Sequence, residues 1–264
     1  CRPALALRLH KQNMPNRTGD PPKKRTRRHL FGTIVATLVA AFVAGVIGFV
    51  FAYPLAGALV CPRCFGFAPI AGNTYVEAAM PAADRARAAA TLRQARAMVL
   101  QFYGSLDADP AVFICATPEC YRRFGGGGSR GMAMLDRMLV LAPDGTTPVI
   151  AAHELSHVEL HARAGAWRVW FGAIPRWFDE GLAINVSDDP RYLLPGTGAA
   201  RCRARTRDPL PETRRDWMAQ ADDGLYAVSA CRVSEWLADH DGRKGVLALA
   251  ARIAGGGSFD APER

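Results

Sequence analysis

Hydrophobic and polar positions fall into distinct regimes along this chain. From Leu30 to Val60 there are 31 residues without a charge, and Leu30 to Tyr53 alone supplies 24, enough to cross a bilayer with some tilt. Gly32, Gly45 and Gly48 fit such a span, because glycine is common in membrane helices. Beyond it the pattern becomes amphipathic. Ala86, Ala89, Ala90, Leu92, Ala95, Val99 and Phe102 predict a helix over 84–103, and Ala111 to Cys115 reads as a strand. Arg137 to Leu141 reads as a second strand, with the glycine run 125–128 as a loop between them. A helix of about sixteen residues follows: Thr147 suits its N-cap, Pro148 its first position and Gly165 the residue past its end. Pro175 opens another short helix, and a helical stretch runs from Tyr226 through Leu237 after the turn at Asp223-Gly224. A small sheet followed by helices makes this an α+β chain, with one domain over 61–264 behind an apolar helix over 30–56.

The helix after Thr147 carries His153-Glu154-Leu155-Ser156-His157. H-E-x-x-H on a helix puts two imidazoles one turn apart on one face, with a carboxylate beside them as general base for an attacking water. Zinc in a catalytic site takes three protein ligands and leaves one position open. His161 continues the i, i+4 series but stands ~6 Å further along the axis, too far to share the ion with His153, so it reads as a supporting or surface residue. Glu180, in Trp177-Phe178-Asp179-Glu180-Gly181-Leu182-Ala183, is the third-ligand candidate, brought back by the Pro175 helix.

These two motifs, with 22 residues between His157 and Glu180, resemble the gluzincin branch of the zincin metallopeptidases, also called peptidase MA-like. The likeness covers roughly residues 113–259. It implies a zincin-like fold in which a small sheet carries the active-site helix ahead of a helical C-terminal part. It also implies Zn2+ held by His153, His157 and Glu180, Glu154 as general base, and a peptide or protein substrate. Tyr226, with Ser229 three residues on, resembles the tyrosine that stabilises the transition state in some members. Two departures stand out. Thermolysin-type members place an Asp one turn after the ligand Glu to orient a zinc histidine; that position is Ile184 here, and Asp179 is the substitute at hand. The G-x-M-E-N segment of the aminopeptidases has no counterpart, since Gly131-Met132-Ala133-Met134-Leu135 lacks its Glu. In related folds an edge strand pairs with an extended substrate; the 137–141 strand is the candidate, with an ordinary sheet strand as the alternative.

Charge sets the orientation. Nine Lys or Arg and one Asp precede Leu30, so the tail over 1–29 holds +8 of the chain's +9. Lys23, Lys24, Arg25, Arg27 and Arg28 then mark the cytoplasmic side of a single-pass anchor, with 61–264 exported, into the periplasm in a bacterium. Nucleic-acid binding through the Pro-Pro-Lys-Lys-Arg tract is set aside, because the cluster abuts the span and has no folded domain of its own. Met14 offers a start that keeps six of the basic residues. Six of the seven cysteines follow the span, an even set that suits an oxidising compartment. Local closure pairs Cys61 with Cys64, Cys115 with Cys120 and Cys202 with Cys231; a redox Cys-x-x-Cys or a four-cysteine zinc site are the alternatives. The aromatic run Trp167, Trp170, Phe171, Trp177 and Phe178 reads as core packing around the second helix. A non-enzymatic zincin-fold module tethered to the membrane competes with the hydrolase reading, and the intact Glu154 favours the hydrolase.

Overall fold

The computed structural model describes residues 24–205 and 209–259, with residues 24–30 and 51 in backbone only. Residues 1–23, Met14 among them, 206–208 and 260–264 lie outside the described residues. The chain divides into two compact units, Cys1–Ala52 and Tyr53–Arg264.

The first unit is helix α1 (Lys24–Ala52). Its segment Phe31–Val50 has a mean hydropathy of 2.5 and buries nothing inside the protein. A helix apolar on every face and unburied among the described residues has the length and composition of a membrane span or a signal sequence. It stops at Ala52 because Tyr53 precedes Pro54, which excludes the helical conformation for the residue before it.

The second unit begins with α2 (Pro54–Val60), which is followed by a hairpin of β1 (Phe67–Ala71) and β2 (Thr74–Glu77) and then by α3 (Ala82–Tyr103). Next come β3 (Ala111–Ile114), α4 (Pro118–Arg123), β4 (Gly131–Met134) and β5 (Met138–Leu141). The helical part holds α5 (Pro148–Ala164), α6 (Ala166–Trp170), α7 (Arg176–Ser187), α8 (Arg214–Gln220), α9 (Asp223–Asp239) and α10 (Arg243–Ala254). The α+β class and the sheet-then-helices order are therefore as expected. The five strands form one mixed sheet in the order β1-β2-β3-β5-β4, parallel across β2-β3-β5 and antiparallel at both ends.

That order decides between the two readings of the 137–141 segment in favour of an ordinary sheet strand. The strand over 137–141 is internal: β5 lies between β3 and β4 with all four residues buried, as a strand covered on both faces requires. The edge on that side is β4, with β1 at the other edge; the Gly-Met-Ala-Met sequence of β4 has little β-propensity and forms a strand because it pairs antiparallel with β5. The aromatic run also divides. Phe178 is fully buried and Trp177 half-buried, with Phe259 packed edge-on to both rings, whereas Trp167, Trp170 and Phe171 are 65%, 50% and 81% exposed. The three local cysteine pairs all stand at disulfide distance, which leaves neither a four-thiol set nor a free Cys-x-x-Cys.

Helix α5 is the centre of the unit, packing on α3, α7, α10, β4 and β5. Its ends are those read from the sequence. Thr147 Oγ1 accepts from the Ile150 N–H, Pro148 opens the first turn, and Gly165 leaves the helix at φ +87°. Because neighbours surround it, Glu154, Ser156, His157, Glu159 and His161 are buried with its apolar residues, and each needs a partner inside the protein. Glu159 finds its partners in the N–H groups of Asp107 and Ala108 and in Arg163, so it ties α5 to the loop after α3.

Helix α7 packs on α5 through one face and on α9 through another. Gly181 permits the second contact, since a Cβ there would collide with the Ser229 carbonyl oxygen and lie 2.6 Å from Val233 Cγ2. Because the obstacle is backbone, it cannot swing away. Gly181→Ala is expected to destabilise the unit by about 1–3 kcal/mol, the usual cost of overpacking. A chemical-denaturation midpoint checks this, and an unshifted midpoint would mean that α7 and α9 are not in backbone contact.

Candidate metal centre

His153 and His157, one turn apart on α5, face each other with Nε2 atoms 3.1 Å apart. Glu180, in the second turn of α7, brings its Oε2 to 3.2 Å from His153 Nε2 and 3.7 Å from His157 Nε2. A tetrahedral ion with bonds of about 2.0–2.1 Å sets its ligand atoms about 3.3–3.4 Å apart, so these three spacings bracket what zinc requires. The donors are two imidazoles and one carboxylate, a set that suits zinc. All three residues are largely buried, with His153 the most accessible at 13% side-chain exposure. The structure thus brings together the three ligand candidates read from the sequence.

A second group, His157, His161 and Asp179, is also close enough to hold an ion. Its geometry is that of a hydrogen-bond network. His157 Nδ1 lies 2.6 Å from Asp179 Oδ1, shorter than a ligand–ligand edge and right for an N–H donating to a carboxylate. Whenever His157 is neutral, a proton on Nδ1 leaves the lone pair on Nε2, the atom that faces His153 and Glu180. Asp179 thus lies against His157, whereas Ile184 is buried among Tyr192, Leu193, Ala227 and Ala230. His161 is buried too, its Nε2 3.2 Å from Asp179 Oδ2, so it supports the carboxylate that supports His157.

Arg176 is a participant that the sequence did not announce. Its Nη1 donates to Asp179 Oδ2 at 2.6 Å and its Nη2 to Glu180 Oε1, one guanidinium spanning both carboxylates. Glu180 is left with Oε2 for the histidines. The only sequence signal is the i, i+3, i+4 spacing of Arg176, Asp179 and Glu180, a pattern common on solvated helices. Burial alone would raise both carboxyls, yet His157, His161 and Arg176 hold Asp179, and Arg176 and His157 hold Glu180, well below the ordinary range. Burial disfavours a charged His157, and the two carboxylates outweigh it, pushing its pKa up to about 10. The field at the cluster is one that holds positive charge.

Glu154 lies beside this group without belonging to it. Burial pushes its carboxyl above the ordinary range; His153 and His157 oppose that shift and Glu180 adds to it. Its side chain rests against the first residue of β4: a Cβ on Gly131 would stand 2.7 Å from Glu154 Oε1. Tyr226, on α9, stacks on Tyr192 with centroids 5.4 Å apart and meets Trp217 edge-on at 5.1 Å. Burial raises its hydroxyl pKa, Glu180 raises it further, and a hydrogen bond with Trp217 and the charge of Arg176 pull the other way, so the phenol sits within the electrostatic reach of the centre. The third group of potential ligands, Cys202, Cys231 and Glu235, has its sulfurs joined to each other.

Comparison with family models, curated proteins and solved structures finds no match for this chain.

Replacing Asp179 by Asn removes the negative charge that holds His157 and leaves only a weaker amide acceptor, so zinc affinity should fall about 10–100-fold, the usual effect of impairing such a partner. His161→Ala should keep close to one zinc per chain. Chelator-competition titration of the two variants checks this, and loss of the ion from His161→Ala as well as from the Asp179 variant would move it to the His157–His161–Asp179 group.

Proposed function

We propose that this chain is a membrane-anchored zinc metallopeptidase of the gluzincin, peptidase MA-like type, with Glu154 as general base. The observation that carries the reading is the convergence of His153 Nε2, His157 Nε2 and Glu180 Oε2 at 3.1–3.7 Å spacings, with the buried Glu154 alongside. A zinc ion, if held by these three residues, would supply a Lewis acid able to make water acidic enough to ionise near neutral pH. The chain's own groups do the rest.

Glu154 takes the proton from the attacking water and passes it to the leaving amine. A carboxyl whose burial raises its proton affinity suits both halves of that task better than an exposed one. The free edge of β4 begins at Gly131, against Glu154, and its backbone can pair with an extended peptide so that the scissile carbonyl comes to the base. Such pairing selects the peptide backbone and tolerates varied side chains. The Tyr226 hydroxyl, kept protonated by burial, is the candidate donor to the developing oxyanion. Asp179 and Arg176 position His157 and Glu180. A silent scaffold would have no use for a buried carboxylate beside a three-ligand cluster, which favours the enzyme over the tethered module. The apolar α1 and the three disulfide pairs support an exported domain held at the membrane with its basic tail in the cytoplasm.

Glu154→Gln preserves shape and removes the base, so zinc content should stay near one per chain while peptide hydrolysis falls by at least ~10²-fold. Tyr226→Phe deletes one hydroxyl and should lower kcat by roughly 10²–10³ with little change in KM. Turnover of generic peptides by metallated protein, read beside metal analysis, tests both. Unchanged kcat in the tyrosine variant would leave Tyr226 as packing between Tyr192 and Trp217, and activity in the glutamine variant would remove Glu154 from the mechanism.

A further inference from the structure

The connection between α5 and α7 carries an apolar face turned outward. Val169 packs inward from α6, while Trp167, Trp170 and Phe171, spaced i, i+3 and i+4, share the opposite side and are 65%, 50% and 81% exposed. The Trp167 and Phe171 rings lie near-parallel with centroids 6.3 Å apart, and a shallow groove of about 360 Å³ runs beside them over Arg168, Gly172 and Ala173. Cations flank the rings. Arg168 is exposed on α6, and Arg214, at the start of α8, holds its guanidinium 5.5 Å from the centre of the Trp170 ring. Met218, one turn after Arg214, adds a further 69%-exposed apolar side chain.

We propose that this aromatic–arginine face docks on the surface of a lipid bilayer containing anionic phospholipid. Tryptophan combines a large apolar ring with an N–H donor and settles where hydrocarbon meets headgroup. Arginines at the rim reach phosphate oxygens while their stems lie along the rings. A protein partner would also cover apolar area, but the same chain carries Phe31–Val50, apolar and unburied over its whole length, which puts a bilayer within reach of the domain. A few hundred square ångströms of exposed aromatic surface is what an interfacial contact uses. Docking here requires nothing of the metal centre.

All five tryptophans of the chain lie at position 167 or later, so α1 is silent in tryptophan fluorescence. The full chain is reconstituted in phosphatidylcholine vesicles with and without phosphatidylglycerol, using lipids brominated on the acyl chain near the headgroup. Bromolipid is expected to quench the fluorescence, more strongly with phosphatidylglycerol present. Trp167→Phe/Trp170→Phe, with unchanged circular dichroism, should lose the quenched component, because Trp217 is buried and Trp177 and Trp236 are packed inside. Absence of quenching, quenching that survives in the double variant, or a chain that does not float with the vesicles would each overturn the proposal. A face seated on protein would leave both tryptophans unquenched in either lipid. Equal quenching in phosphatidylcholine alone would overturn the role given to anionic lipid.

Discussion

Asp179, 2% exposed at the side chain, accepts from His157, His161 and Arg176, and this buried carboxylate couples the two helices that make the candidate metal centre. An ionised carboxylate so far from water is tolerated only when its lone pairs are filled by charged or strongly polar donors. Removing any one donor would leave a buried charge under-compensated, which costs more than the pair contributes. The same contact fixes the protonated nitrogen of His157 and therefore the direction of its lone pair. Fold and chemistry are stabilised here by one hydrogen-bond network, with α5 giving the imidazoles and α7 the carboxylates.

Two glycines allow the elements around this network to approach. Gly131 lets Glu154 lie against the first residue of the edge strand, and Gly181 lets α9 press its backbone onto α7 next to Glu180. Each stands where a methyl group would collide, one with the proposed base and the other with a carbonyl oxygen. The short Trp-Phe-Asp-Glu-Gly-Leu-Ala segment thus carries an aromatic for the core, the acid that contacts His157, the candidate ligand acid and the close-packing glycine in successive positions.

What the sequence revealed follows from how local each signal was. The ends of α5 were legible because Thr147, Pro148 and Gly165 act on their own turns. The His153–His157 pair was legible because helical periodicity fixes it, and the cysteine pairs because short separations favour local closure. Glu180 required a motif as well as a helix start at Pro175. Tertiary facts were hidden. Gly-Met-Ala-Met carries no strand signal, so β4 took the edge from the more strand-like segment now buried as β5. Arg176 and His161 acquire roles only when α7 is laid against α5. The aromatic run looked uniform, although Trp177 and Phe178 turn inward and Trp167, Trp170 and Phe171 outward, a division that depends on where the chain leaves α5 at Gly165.

The central claim is that the chain holds one ion between two imidazoles and one carboxylate. X-ray absorption at the zinc edge, on full-length protein carrying one equivalent of metal, reads that ligand set directly. The account predicts a first shell of nitrogen and oxygen at about 2.0–2.1 Å, with the multiple-scattering signature of two imidazoles. Sulfur scattering at about 2.3 Å, or a three-imidazole pattern, would contradict it.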